Sequence, residues 1–169
     1  MPERFTLGIL LAALLVAVTV VPVGAHFLLN LNVRIFHVDH VRGGLILHMR
    51  TPMPYLVADK LGEEQGDALP APAPFTTNAR EDDQLVHFLD RGAVAADPLG
   101  LGGIAEESLV LEIRGARLRG TVEAVVLHAV GSETAFATLD EARATLAAPP
   151  AVPPDRLYVG NVVVDVTIR

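Results

Sequence analysis

In the stretch Asn30 to Arg50, NLNVRIFHVDHVRGGLILHMR, Leu31, Val33 and Ile35 fall on one side of an extended chain and Asn30, Asn32 and Arg34 on the other. A period of two marks a half-buried strand, because successive side chains point to opposite faces. Arg42-Gly43-Gly44 follows, and glycine adopts the positive φ that a tight reversal needs. Leu45 to Arg50 then reads as the return strand, so the stretch predicts a β-hairpin. With Gly43-Gly44 as the two loop residues, Asp39 faces His48 and His37 faces Arg50, all four on one side of the sheet, while His40 lies on the other side opposite Leu47.

The flanking sequence extends the β reading. Pro52 and Pro54 break the ladder, since neither donates a backbone hydrogen bond, and Tyr55 to Leu61 is expected to form a short helix ending at Gly62. Glu63 to Pro74 reads as a solvated polyproline-like loop. Gln84 to Leu89 fits strand or helix. Ser108 to Arg114 predicts a strand with Leu109, Leu111 and Ile113 on its buried side, and Thr121 to Val130 is apolar on both faces in its middle, as a central strand would be. Thr138 to Ala147 is the clearest helix, with Thr138 and Glu141 as a capping box and Leu139, Ala142 and Leu146 on one face. Asn161 to Arg169 closes the chain as a strand with Val162, Val164, Val166 and Ile168 inward and Asp165 and Thr167 outward. At least five strands with one or two short helices predict a mainly β fold, an antiparallel β-sandwich-like domain. The strand pattern running to Arg169 leaves two readings: a central final strand that stops abruptly, or a longer protein cut there.

Ahead of this domain, Phe5 to Val21 is an unbroken apolar run after Arg4, and it leads into Pro22-Val23-Gly24-Ala25. Small residues at that point suit a signal peptidase, so residues 1–25 read as a signal helix that is removed, and residues 26–169 as one exported, extracytoplasmic domain, periplasmic or extracellular. The alternative is an uncleaved anchor, since the run approaches the roughly 17 to 20 residues that span a bilayer. Membrane contact would then pass through residues 5–21 alone. A formal net charge of −7 argues against nucleic acid and anionic lipid as partners. The absence of cysteine excludes disulfides, thiol catalysis and thiolate metal sites.

Chemistry-bearing residues are few. Cleavage after Ala25 would make His26 the mature N-terminus, where amine and imidazole together chelate nitrogen-preferring metals such as Ni or Cu. His37, Asp39 and His48 add nitrogen and oxygen donors on one sheet face, which makes His26, His37, Asp39 and His48 the candidate ligand set. The competing reading pairs Asp39 with Arg50 on a solvated face. His87 and His128 sit in apolar stretches and read as satisfied core or edge histidines. Gly100-Leu-Gly102-Gly103-Ile-Ala105 matches a dinucleotide fingerprint literally, yet follows a proline and no clear strand, so it reads as a flexible loop. Glu81-Asp82-Asp83 reads as a solvated acidic turn, and no serine lies in a nucleophile elbow. Nothing points to an enzyme. The alternative is a structural module that docks a membrane partner through residues 51–61, where Met53, Tyr55, Leu56 and Val57 would form an apolar patch if exposed, or ordinary core if not.

The runs HFLLNLNVRIFHVDHV (His26 to Val41), LHMRTPMPYLVADKLG (Leu47 to Gly62), PAPFTTN (Pro72 to Asn78), FATLDEARATL (Phe136 to Leu146) and YVGNVVVDVTIR (Tyr158 to Arg169) resemble the extracytoplasmic N-terminal region of HupE/UreJ-type membrane proteins. In that family a multi-helix membrane domain follows, associated with nickel supply to hydrogenase or urease. No such domain is present here, so transport does not carry over. The resemblance implies an exported domain of a metal-related or membrane-associated system, either truncated from its membrane half or working beside a separate one, and the leading reading is a non-enzymatic accessory or interaction module.

Overall fold

The computed structural model describes residues 33–63 and 68–169; the leader and His26 lie outside the described residues. The fold is mainly β and antiparallel. Strands β1 (Ile35–Val41), β2 (Gly44–Pro52), β7 (Val122–Ala129) and β8 (Val162–Ile168) form one sheet in the order β1-β2-β8-β7. Strands β3 (Thr76–Glu81) and β4 (Gln84–Leu89) make one separate hairpin, and β5 (Leu111–Ile113) and β6 (Ala116–Leu118) another. Among the described residues no second large sheet packs on the first. Helices cover it instead: α1 (Pro54–Val57), α2 (Arg91–Ala96), α3 (Gly100–Ser108) and α4 (Leu139–Leu146).

The β1–β2 hairpin forms as expected, with a corrected register. Its turn residues are Arg42 and Gly43, Val41 pairs with Gly44, and Gly43 takes the positive φ of +86°. His37 therefore faces His48, and Asp39 faces Ile46. The slip is two residues, so each side chain keeps the face assigned to it while its cross-strand partner changes. The final strand β8 is central, between β2 and β7. Strand β7 is the sheet edge, although its middle reads as a central strand. Both of its faces are covered, which is why Val125, Val126 and Leu127 are all buried.

One face of the sheet is mainly apolar, with Thr51 buried among aliphatic neighbours. Leu47 and Met49 of β2, Val164, Val166 and Ile168 of β8, and Val125 and Leu127 of β7 pack against Met53, Leu56, Val57, Leu101 and Ala105. Gly102 lets α3 press close, since a Cβ there would stand 2.6 Å from Val122 Cγ1 and 2.7 Å from Val125 Cγ2. The Gly-rich run expected as a loop is thus this helix. Its glycines weaken helix propensity, but Leu101 and Ala105 lie one turn apart and their burial outweighs that cost. The strand expected over Ser108 to Arg114 shrinks to Leu111–Ile113; Leu111 packs against the core, whereas Ile113, two residues nearer the hairpin turn, is exposed.

The opposite face carries α4, whose capping box forms as predicted: Thr138 Oγ1 accepts from Glu141 N–H, and the Glu141 carboxylate accepts from Thr138 N–H. Hydrogen bonding by that backbone amide lowers the Glu141 pKa. Ala142, Thr145 and Leu146 are buried beneath this helix, with Phe136 and Val126. The β3–β4 hairpin is pinned by Tyr158, whose ring stacks on Phe88 at 4.6 Å and whose hydroxyl donates to Glu81.

Candidate functional site

The sheet face under α4 is where the chemistry-bearing residues collect. Arg50 of β2 stands directly across from Asp165 of β8, and its guanidinium donates twice to that carboxylate, Nε to Oδ1 at 2.7 Å and Nη2 to Oδ2 at 2.6 Å. Asp165 is 0 % exposed. His128 Nε2 donates to the same Oδ2 at 3.0 Å, and Arg50 Nη1 donates to the Thr134 carbonyl at 2.8 Å. The Arg50 guanidinium also lies 4.4 Å from the centre of the Phe136 ring. Asp165 and Thr167, expected outward in solvent, are thus buried, because α4 and the segment before it close over that face. His128, read from the sequence as a satisfied core or edge histidine, is one on the edge strand β7, and its partner is this carboxylate.

His48 is buried beside it, with Nδ1 3.0 Å from Thr167 Oγ1 and Nε2 lacking a hydrogen-bond partner. Placing the proton on Nδ1 leaves only a lone pair unpartnered at Nε2; protonating the ring would leave a buried N–H with no acceptor. Burial accordingly lowers the His48 pKa, against the raising effect of Asp39. His37 donates from Nε2 to the Phe136 carbonyl at 2.9 Å. Asp39 pairs with Arg143 of α4 at 2.6 Å rather than with Arg50.

Of the candidate ligands, then, the structure brings His37 and His48 together, turns Asp39 to Arg143, and leaves His26 outside the described residues. Among the described residues no group of three or more His, Asp or Glu side chains is placed to hold a metal ion. The candidate docking patch is corrected as well. Met53 and Val57 are fully buried and Leu56 nearly so, leaving Tyr55 as its one exposed member, with the Arg34 guanidinium 4.6 Å from its ring centre. Pro54 starts α1 and aims those three side chains into the apolar core. Among the other exposed apolar side chains, Val33, Phe36 and Val38 cluster on and before β1, the sheet's other edge strand.

A pocket of about 310 Å³ opens at the other end of the hairpin. Leu45, Leu47, Leu109, Leu111, Leu118 and Ile168 line it, and Arg42, Arg119 and Arg169 stand among its walls with Glu106. Glu106 is held by Arg119 at 3.1 Å and by the Gly120 N–H at 3.1 Å. Arg169 pairs with Glu123. Arg42, on the turn, makes no ion pair among the described residues. Sequence reading missed this site because its walls come from four separated segments. The one local signal is the arginine at the hairpin turn.

Compared with known proteins, the chain matches no family model, no curated protein and no solved structure. No helix among the described residues is long and apolar enough to cross a membrane.

Proposed function

We propose that this chain is a non-enzymatic exported accessory or interaction domain, sandwich-like in that its sheet is covered on both faces, with residues 26–169 as the working unit behind a leader of residues 1–25. On this reading it resembles the extracytoplasmic N-terminal region of HupE/UreJ-type proteins and works beside a membrane partner. The supporting observation is where its reactive side chains go: Arg50, Asp165 and His128 are consumed in one buried network under α4, and Asp39 in an ion pair with that helix. The apolar surface such a partner would meet is the β1 edge with Phe36 and Val38, since Met53, Leu56 and Val57 belong to the core. In the metal-binding version His26, His37, Asp39 and His48 take Ni or Cu; its support is the facing pair His37 and His48, with the buried His48 Nε2 unpartnered.

Expression of the whole chain with its own leader, followed by native mass spectrometry with equimolar Ni, Cu and Zn ions, tests this reading. The expected product is an exported species whose mass begins at His26. A chain retained in the cytoplasm sinks the exported role, and a cleaved, metal-free species removes the metal version while leaving the interaction domain.

A further inference from the structure

We infer that the pocket between the β1–β2 turn and the β5–β6 hairpin binds a single-chain amphipath with an anionic head, an alkyl carboxylate of about eight to ten carbons. Export and partner contact do not depend on it, so it stands apart from the function proposed above.

The size comes first. A cavity of about 310 Å³ lies at the lower end of the range of small-molecule sites and has room for about ten water-sized groups. The wall chemistry comes next. Seven aliphatic residues line it, Val41 among them; Leu47 and Ile168 form its buried floor, whereas Leu109, Leu111 and Leu118 are half-exposed and would lose water contact on filling. A chain of CH₂ groups suits such a surface, because burying apolar area is favourable and needs no directional partner.

The rim decides the head group. Its side chains include three arginines and one carboxylate in a protein whose net charge is −7, so their sign runs against that of the whole molecule. Glu106 is neutralised by Arg119 and the Gly120 amide, and Arg169 is occupied by Glu123. That leaves the Arg42 guanidinium, exposed on a two-residue turn at the pocket mouth, as an uncompensated cation. A planar fork of donors fits a carboxylate bidentately. The turn is rigid enough to present it, since Val41 and Gly44 close the ladder immediately behind it.

Titration calorimetry of the full chain with decanoate, decanol and decyltrimethylammonium tests the site. Decanoate should bind saturably at one per chain, decanol about fivefold more weakly, as expected for the loss of one rim ion pair, and decyltrimethylammonium more weakly still. Arg42→Gln should bring decanoate down to the decanol affinity and leave decanol unchanged. Leu111→Trp, which fills the pocket, should abolish binding of all three without lowering the melting temperature. Equal affinities for the three head groups, unchanged head selectivity in Arg42→Gln, or decanoate binding that survives in a folded Leu111→Trp variant would each overturn the assignment.

Discussion

The two faces of the four-stranded sheet each carry a helix, but different physics holds each of them. Under α3 the sheet offers aliphatic side chains such as Val122, Val125 and Val166, and closeness is achieved by Gly102. Under α4 the sheet offers Arg50, Asp165, His128, His48 and Thr167. The apolar face is insensitive to a two-residue slip of β2 against β8, because Leu45, Leu47 and Met49 would still meet valines and Ile168. The polar face is not: the same slip would carry Arg50 about 7 Å along the strand, away from Asp165. Hydrophobic burial thus drives association of the strands, while one buried ion pair specifies their register.

The largest effect that bears on this contrast is on the polar face. Arg50→Ala should cost about 3–5 kcal/mol in chemical denaturation, since it strands the Asp165 charge in a dry layer. The double variant Arg50→Met, Asp165→Leu should regain most of that loss, because removing both charges removes the desolvation cost. A double variant as unstable as the single one would show that the network supplies stability in itself. A smaller effect is expected on the apolar face. Gly102→Val should cost about 1–3 kcal/mol by overpacking against Val122 and Val125, whereas Gly103→Ala, in the same helix with nothing within 4 Å of its added Cβ, should gain up to about 1 kcal/mol from helix propensity. Equal shifts at the two glycines would mean that α3 is not pressed on the sheet.

The smallest effect is one of pH. Folding lowers the His48 pKa through burial, so the folded protein favours the neutral ring. The stability from this group is complete above the unfolded value near 6.5 and is lost as the pH falls through the lower folded value. Thermal midpoints should therefore drop between pH 7.5 and pH 5, and by less in His48→Asn, whose side chain can keep the bond to Thr167 without titrating. An identical drop in both proteins would locate the acid sensitivity elsewhere.

Much of the fold was legible from local pattern. The hairpin, the capped helix over Leu139–Leu146 and the terminal β-strand each show their periodicity or capping residues within a dozen positions. The α3 helix was not legible, because three glycines argue against a helix and only the sheet beneath explains them. The site was harder still. His37, Asp39 and His48 were placed on the right face, since parity survives a two-residue slip. Their partners were not, because Phe136, Arg143 and Thr167 lie about a hundred positions away or more, and the Arg50–Asp165 pairing was missed because Asp165 sits in an apolar run. One charge of each sign in two apolar strands, Arg50 and Asp165, was the signal available for that pair.

The sequence by itself determined which segments extend or coil, which side of each strand is apolar, and that packing alone, without cross-links, must hold the chain together. Those properties depend on dihedral preference and on residue spacing of two or 3.6, which are local. The tertiary structure alone decided that β8 sits at the centre, that α4 buries the polar face, that Met53, Leu56 and Val57 are core, and that leucines from separated segments meet in a pocket at the Arg42 turn. These features depend on which surfaces meet in space, and that is set by the total area and charge buried when all the elements pack together.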